Sequence, residues 1–163
     1  MSPPTIGASA IQIFTDNPTA WRRRREPSAQ LAAFRTKSAE LDIRPVAIHA
    51  SYLVNLPGPD AATFARSVAM LAGELAGARA FGARYVNVHI GSHRGTGVEV
   101  GTVRLVDGLV EVLALADGVD AAPGLTPAKP NVVVVLTDDE PALDGRLMRY
   151  MPKPCSVWIT SVP

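Results

Sequence analysis

The stretch YVNVHIGSH, from Tyr85 to His93, decides how the rest of the chain is read. Tyr85 to Ile90 is a short apolar run with β-branched residues, the composition of a buried strand. It then turns polar at its C-terminal end, with His89 followed by Gly91, Ser92 and His93. α/β enzymes present chemistry where an apolar strand turns polar in this way. The pattern occurs once before, where Val46-Ala47-Ile48 runs into His49. Two strands of one layer, each ending in a histidine, place two imidazoles side by side at one rim. That is the beginning of a metal site and not the whole of one.

Ala10 to Thr15 (AIQIFT) reads as a strand, and Asp16-Asn17-Pro18 breaks it. Trp21 and the run Arg22 to Arg25 follow in that loop. Pro27 to Leu41 reads as a helix, with proline in its first turn and Leu31, Phe34 and Leu41 at helical spacing. Val46 to Ser51 is the second strand. Asp60 is a predicted N-cap for a helix over Ala61 to Phe81, with Phe64, Val68, Leu71, Leu75 and Ala78 on one stripe and Gly82 as its stop. Gly91 to Gly97 is a loop suited to close approach of a ligand. Val103 to Ala116 is an amphipathic helix, Ala121 to Pro130 a Pro-rich connector, and Asn131 to Leu136 (NVVVVL) a fourth strand. Beyond it, residues 137–163 carry prolines at 141, 152, 154 and 163. That tail is expected to be poorly ordered or irregularly docked, so the chain divides at residue 136.

Strand and helix alternate at intervals of about 35–50 residues, a run of βα units. Strands that are apolar throughout imply a parallel sheet, and right-handed crossovers put every strand's C-terminal end on one rim. A (β/α)8 TIM barrel needs ~250 residues. The fold class is therefore α/β, a partial barrel of about four βα units; a small open sheet is the alternative.

Composition sets the bounds. The chain has 163 residues, 47% hydrophobic and 19% charged, which suits one soluble globular domain. Its 16 basic and 15 acidic residues nearly cancel, so overall charge does not argue for nucleic acid. The distribution is less even: residues 1–50 carry seven Lys/Arg against four Asp/Glu. A single cysteine, Cys155, excludes an internal disulfide and a Cys-based zinc ribbon. With no secretory pattern and no long apolar run, the expected location is the cytoplasm.

The segments GASAIQIFTDNPTAW, IHASYLVNL, GARYVNVHIGSHRG and VVVVL, in that order, resemble the endonuclease IV family of deoxyribonucleases and apurinic/apyrimidinic endonucleases. The resemblance covers roughly residues 7–136 and implies a zinc-dependent TIM barrel of the xylose isomerase-like superfamily. The implied activity is cleavage of the DNA backbone 5′ to an abasic site in base excision repair, on double-stranded DNA. On this resemblance His49 and His89 match zinc ligands, Tyr52 matches a tyrosine used at the lesion, and the loop Asp16 to Trp21, with Asn17, matches a DNA-contacting loop. Arg22 and His93 are further DNA-binding candidates. The chain departs from the family's pattern in three places. Thr19 stands where the family often has arginine or another large residue. The first-strand HVS signature is missing. Thr137 stands in place of a bridging glutamate, and no histidine follows His93. The expectation is a chain incomplete at both ends, with the change at Thr137 reading as a frame shift or a truncated gene.

Each candidate has a plainer alternative. Two histidines 40 positions apart are alone a weak metal signal, since strand-end histidines are commonly structural. Imidazole and carboxylate nevertheless suit zinc, which activates water and clamps phosphate. The Asp138-Asp139-Glu140 run reads as a solvated acidic turn before it reads as a replacement ligand. Arg22 to Arg25 is either a solvated face or a phosphate-contacting patch. Tyr52 is either a half-buried rim residue or a ring that stacks where a base is missing. Two readings stand beside the nuclease: a metal-dependent sugar isomerase or epimerase, and an inactive or DNA-binding remnant that self-associates through exposed barrel edges.

Overall fold

A computed structural model describes residues 7–23, 29–117, 133–138 and 157–161. The elements follow in the order β1 (Ile11–Ile13), α1 (Leu31–Glu40), β2 (Val46–His49), α2 (Ala61–Ala78), β3 (Tyr85–His89), α3 (Val98–Asp117), β4 (Val133–Asp138) and β5 (Val157–Ser161). The five strands form one parallel sheet in the order β1-β2-β3-β4-β5. Sequential order without reversal is the winding of a TIM barrel, since a doubly wound sheet reverses at a switch point. The α/β partial-barrel fold read from the sequence is the fold observed.

Strand alternation sorts the side chains onto two faces. Ile48, Val86 and Val88 are fully buried and cluster with Val68, Leu71 and Leu75 of α2 and Leu105, Leu109 and Val112 of α3. The intervening residues Ala47, His49, Tyr85, Asn87 and His89 lie on the other face and are half-buried. Burying a Leu or Val side chain contributes about 1.5–3 kcal/mol, so the helix-covered face carries the stability.

The helices keep the expected types with shifted ends. The Asp60 carboxylate accepts the Thr63 N–H at 2.7 Å and caps α2 as its sequence predicts. Hydrogen bonding from the Thr63 side chain, and after it from this N–H, holds the Asp60 carboxyl below its ordinary range. α2 stops three residues before Phe81, where bonds tighten to the i→i+3 type (Ala80 N–H to Gly77, Phe81 N–H to Ala78) ahead of Gly82 at φ +68°. α3 begins at Val98, five residues before the expected Val103. Val98, Val100 and Val103 are all exposed, so the first turns carry no inward apolar stripe to mark them. In α1, Leu31 is the first helical residue; Pro27 lies outside the described residues.

The sequence reads as four strands, and the described residues form five. β4 runs through Thr137 and Asp138, past the division drawn at residue 136, and Val157–Ser161 pairs with it in register. β5 carries little sequence signal because it is a five-residue run among prolines. The other residues of 139–163 lie outside the described set.

Candidate functional site

His49 is the last residue of β2 and His89 the last of β3. β2–β3 pairing sets His49 against Asn87, so the two imidazoles stand on the same face, one step apart along the rim. Their ring centroids are 5.1 Å apart, with the planes inclined by 49°. His49 Nδ1 lies 2.7 Å from the Ala50 carbonyl oxygen. A carbonyl only accepts, so this contact requires the proton on Nδ1 and leaves the Nε2 lone pair free. Metal-bound imidazoles are commonly oriented by a backbone carbonyl in this way.

An aromatic group closes around His49. The Phe14 ring lies 5.0 Å from it and the Tyr52 ring 5.3 Å from it, and Phe14 and Tyr52 meet edge-on at 5.3 Å. Both remain open to solvent, Phe14 at 37% and Tyr52 at 59%. Apolar ring surface left exposed beside two imidazoles is surface available to a ligand.

Three loops carry these groups and are tied to one another. In the first, the Asn17 Oδ1 accepts the Thr19 N–H at 3.0 Å and its hydroxyl at 2.8 Å, which fixes the turn after β1. The Pro18 carbonyl of that turn accepts from the Ser51 hydroxyl at 2.8 Å and the Tyr52 N–H at 3.1 Å. The first loop thereby sets where Tyr52 stands. In the third, His93 Nδ1 accepts the Gly95 and Gly97 N–H groups at 3.2 and 3.1 Å, holding the turn that leads into α3. Asn17 and His93 thus use side-chain acceptors within their own loops.

The arginine run is split. Arg22 is exposed, whereas Arg23 is half-buried and folds back on α2. A Cβ at Gly73 would meet its Cδ at 3.2 Å and one at Gly77 its Nη2 at 3.1 Å, so the two glycines make the groove it occupies. Arg24 and Arg25 lie outside the described residues. Trp21 packs on the core under the Arg66 guanidinium, 6.0 Å from its ring centroid. Arg23 Nη1 sits 4.0 Å from the carboxylate of Glu74, a buried acid on α2. Burial pushes the Glu74 carboxyl up to about 7, against the opposing pull of the Ser51 N–H, which it accepts at 3.0 Å, and of Arg23.

Sequence reasoning missed Phe14, Ser51, Asn55 and Glu74. Glu74 left a signal, an acid on the same stripe as Leu71, Leu75 and Ala78. Phe14 left none, since it meets His49 only in space.

Two imidazoles with one Nε2 held free fit zinc or a similar ion in donor type. Among the described residues no group of three or more His, Cys, Asp or Glu side chains gathers around a point. β3–β4 register sets Thr137 beside His89. Among the described residues no helix is long and apolar enough to cross a membrane.

The family model for the xylose isomerase-like TIM barrel matches residues 5–133. Among curated proteins, a probable endonuclease 4 of Methanoculleus marisnigri is 40% identical over 100 residues, 61% of this chain and 36% of that protein. A probable endonuclease 4 of Thermotoga maritima is 37% identical over 116 residues, 70% of this chain and 40% of that protein. The crystal structure of endonuclease IV from Thermus thermophilus superposes with a TM-score of 0.61 at 37% identity, covering 80% of this chain and 42% of that one. The chain thus spans about two fifths of the length of the relatives it matches. On the family match and the strand order, the chain belongs to the xylose isomerase-like TIM barrel family.

Proposed function

We propose that this chain supplies DNA-facing and metal-binding parts of an endonuclease IV-type activity, zinc-dependent hydrolysis of the DNA phosphodiester 5′ to an abasic site in base excision repair. The observation that carries the proposal is the His49–His89 pair standing beside the exposed Phe14–Tyr52 rings. The relatives named endonuclease 4 and endonuclease IV support it.

Zinc, when bound, would lower the pKa of a water and offset charge on the phosphate oxygens. The chain's own contribution is to hold and orient. His49 and His89 would be two of the ligands, and the Ala50 carbonyl keeps His49 Nε2 available. Tyr52 and Phe14 offer ring surface to the gap where a base is missing, which a continuous stack would not leave open. Arg22 offers an exposed charge to phosphate, while Asn17 and His93 shape the loops on either side.

The test is nicking of a duplex carrying a single abasic site, by the purified chain with added zinc, with and without a chelator. Metal-dependent incision on the 5′ side that disappears in His89→Ala is the expected result. A soluble, folded chain that leaves the abasic duplex intact, or that nicks it equally well in chelator, sinks the proposal.

A further inference from the structure

The β2–β3 ladder ends before the second histidine. The Ala50 N–H donates to the Asn87 carbonyl at 2.8 Å, and beyond that bond β3 has no backbone partner on the β2 side among the described residues. His89 lies past this point. The next link between the two loops is a side chain. Asn55 Oδ1 accepts the Ser92 N–H at 2.7 Å, and the Asn55 backbone N–H donates to the Ser67 hydroxyl at 2.9 Å. Ser67 is fully buried on α2, so Asn55 is anchored to the core at one end and holds the loop after His89 at the other.

Two glycines fence the amide. A Cβ on Gly58 would lie 2.5 Å from Asn55 Nδ2, and one on Gly91 would collide with Asn55 Oδ1. Gly91 also has φ +90°, which side chains other than glycine rarely adopt. The backbone around Asn55 is therefore shaped to admit an amide at this one place.

We propose that Asn55 is a positioning residue that fixes the loop after His89 against the loop after His49 and so sets the spacing of the two imidazoles. The role rests on the reading of His49 and His89 as ligands of one metal ion. It differs from catalysis in that the amide holds loop backbone and bonds to neither ring.

The test uses the full chain and zinc alone. Zinc affinity is measured for the wild type, His49→Ala, His89→Ala and the double variant, and again with Asn55→Ala in each. Asn55→Ala is expected to lose about tenfold in zinc affinity, the low end of what groups bonded directly to a ligand are worth, because Asn55 acts on the loop and not on a ring. The coupling between the two histidines should shrink toward onefold. Asn55→Asp, which keeps the acceptor for Ser92, should restore both. Hydrogen exchange at the Ser92 amide in metal-free protein should speed up about tenfold in Asn55→Ala and stay slow in Asn55→Asp. Unchanged histidine coupling in a folded Asn55→Ala chain overturns the proposal, as does an unchanged Ser92 amide. Should the wild type bind no zinc through either histidine, the proposed function fails separately. The magnetisation transfer between the His49 and His89 rings then decides for Asn55: its loss in Asn55→Ala supports the role, and its retention overturns it.

Discussion

Along β2 and β3 successive side chains enter two different environments. Ile48, Val86 and Val88 turn toward α2 and α3 and are 0%, 0% and 1% exposed. His49, Asn87 and His89, interleaved with them, turn the other way and stay half-buried, with aromatic rings and loops for neighbours. The first face is apolar and close-packed, so its residues answer for stability. The second is polar and tied by single hydrogen bonds, and on the proposed function its residues answer for binding. One backbone serves both because strand side chains alternate, and a substitution should report on the face it occupies.

The largest effect should come from the covered face. Leu71 is fully buried in the core that α2 shares with the sheet and α3. Leu71→Ala removes its contacts and leaves a cavity, which costs about 3 kcal/mol. For a chain of this size each kcal/mol moves the melting temperature by roughly 2–4 °C. His89→Ala, one residue beyond buried Val88 on the same strand, should leave the melting temperature nearly unchanged and abolish zinc-dependent incision. Equal losses of stability in both variants would erase the distinction between the faces.

Glu74 is the acid that breaks the pattern of the covered side. Its folded pKa of about 7 lies above the ordinary 4.5, so between those values the folded chain holds more protons than the unfolded one. Stability should therefore fall as pH rises from 4.5 to 7 and remain lower above that. Glu74→Gln keeps an acceptor for the Ser51 N–H and removes the buried charge. It should stabilise the chain by on the order of 2–3 kcal/mol at pH 8 and change little at pH 4. Thermal melts across this range decide the matter; a Glu74→Gln chain with the wild-type pH dependence would place the carboxylate elsewhere.

The covered face was the more legible one. Val68, Leu71, Leu75 and Ala78 recur at helical spacing, and Asp60 announces the helix they belong to, so α2 could be placed to within three residues. α3 could be placed only from Val103 onward, because its first turns expose their valines. β5 was hidden by the prolines around it. On the open face, His49 and His89 were legible as polar ends of apolar runs. Phe14, Asn55 and the Arg23–Glu74 pair were not, because each acts through a partner distant in sequence. Asn55 meets Ser92, and Arg23 lies in a groove made by Gly73 and Gly77. Local pattern marks which way a residue faces and is silent about which distant atom it meets.

Arg22 and Arg23 give the smallest and sharpest form of the comparison. They are adjacent, identical in chemistry and opposite in placement: Arg23 against Glu74 on α2, Arg22 exposed in the rim loop. Removing Arg23 leaves Glu74 without its cation, so Arg23→Ala should lower stability by roughly 1–3 kcal/mol at neutral pH. Arg22→Ala should change stability by less than about 0.5 kcal/mol, as exposed substitutions do. Its effect should appear in DNA binding, as a modest loss of affinity and a fall of about one in the slope of log affinity against log salt. Titrating an abasic duplex into each variant at several salt concentrations measures both. A salt slope that falls for Arg23→Ala and not for Arg22→Ala would mean that the half-buried guanidinium reaches the phosphates after all. The rim loop would then have to swing away from α2 when DNA binds, and the close packing of Arg23 against Gly73 and Gly77 would describe only the DNA-free chain.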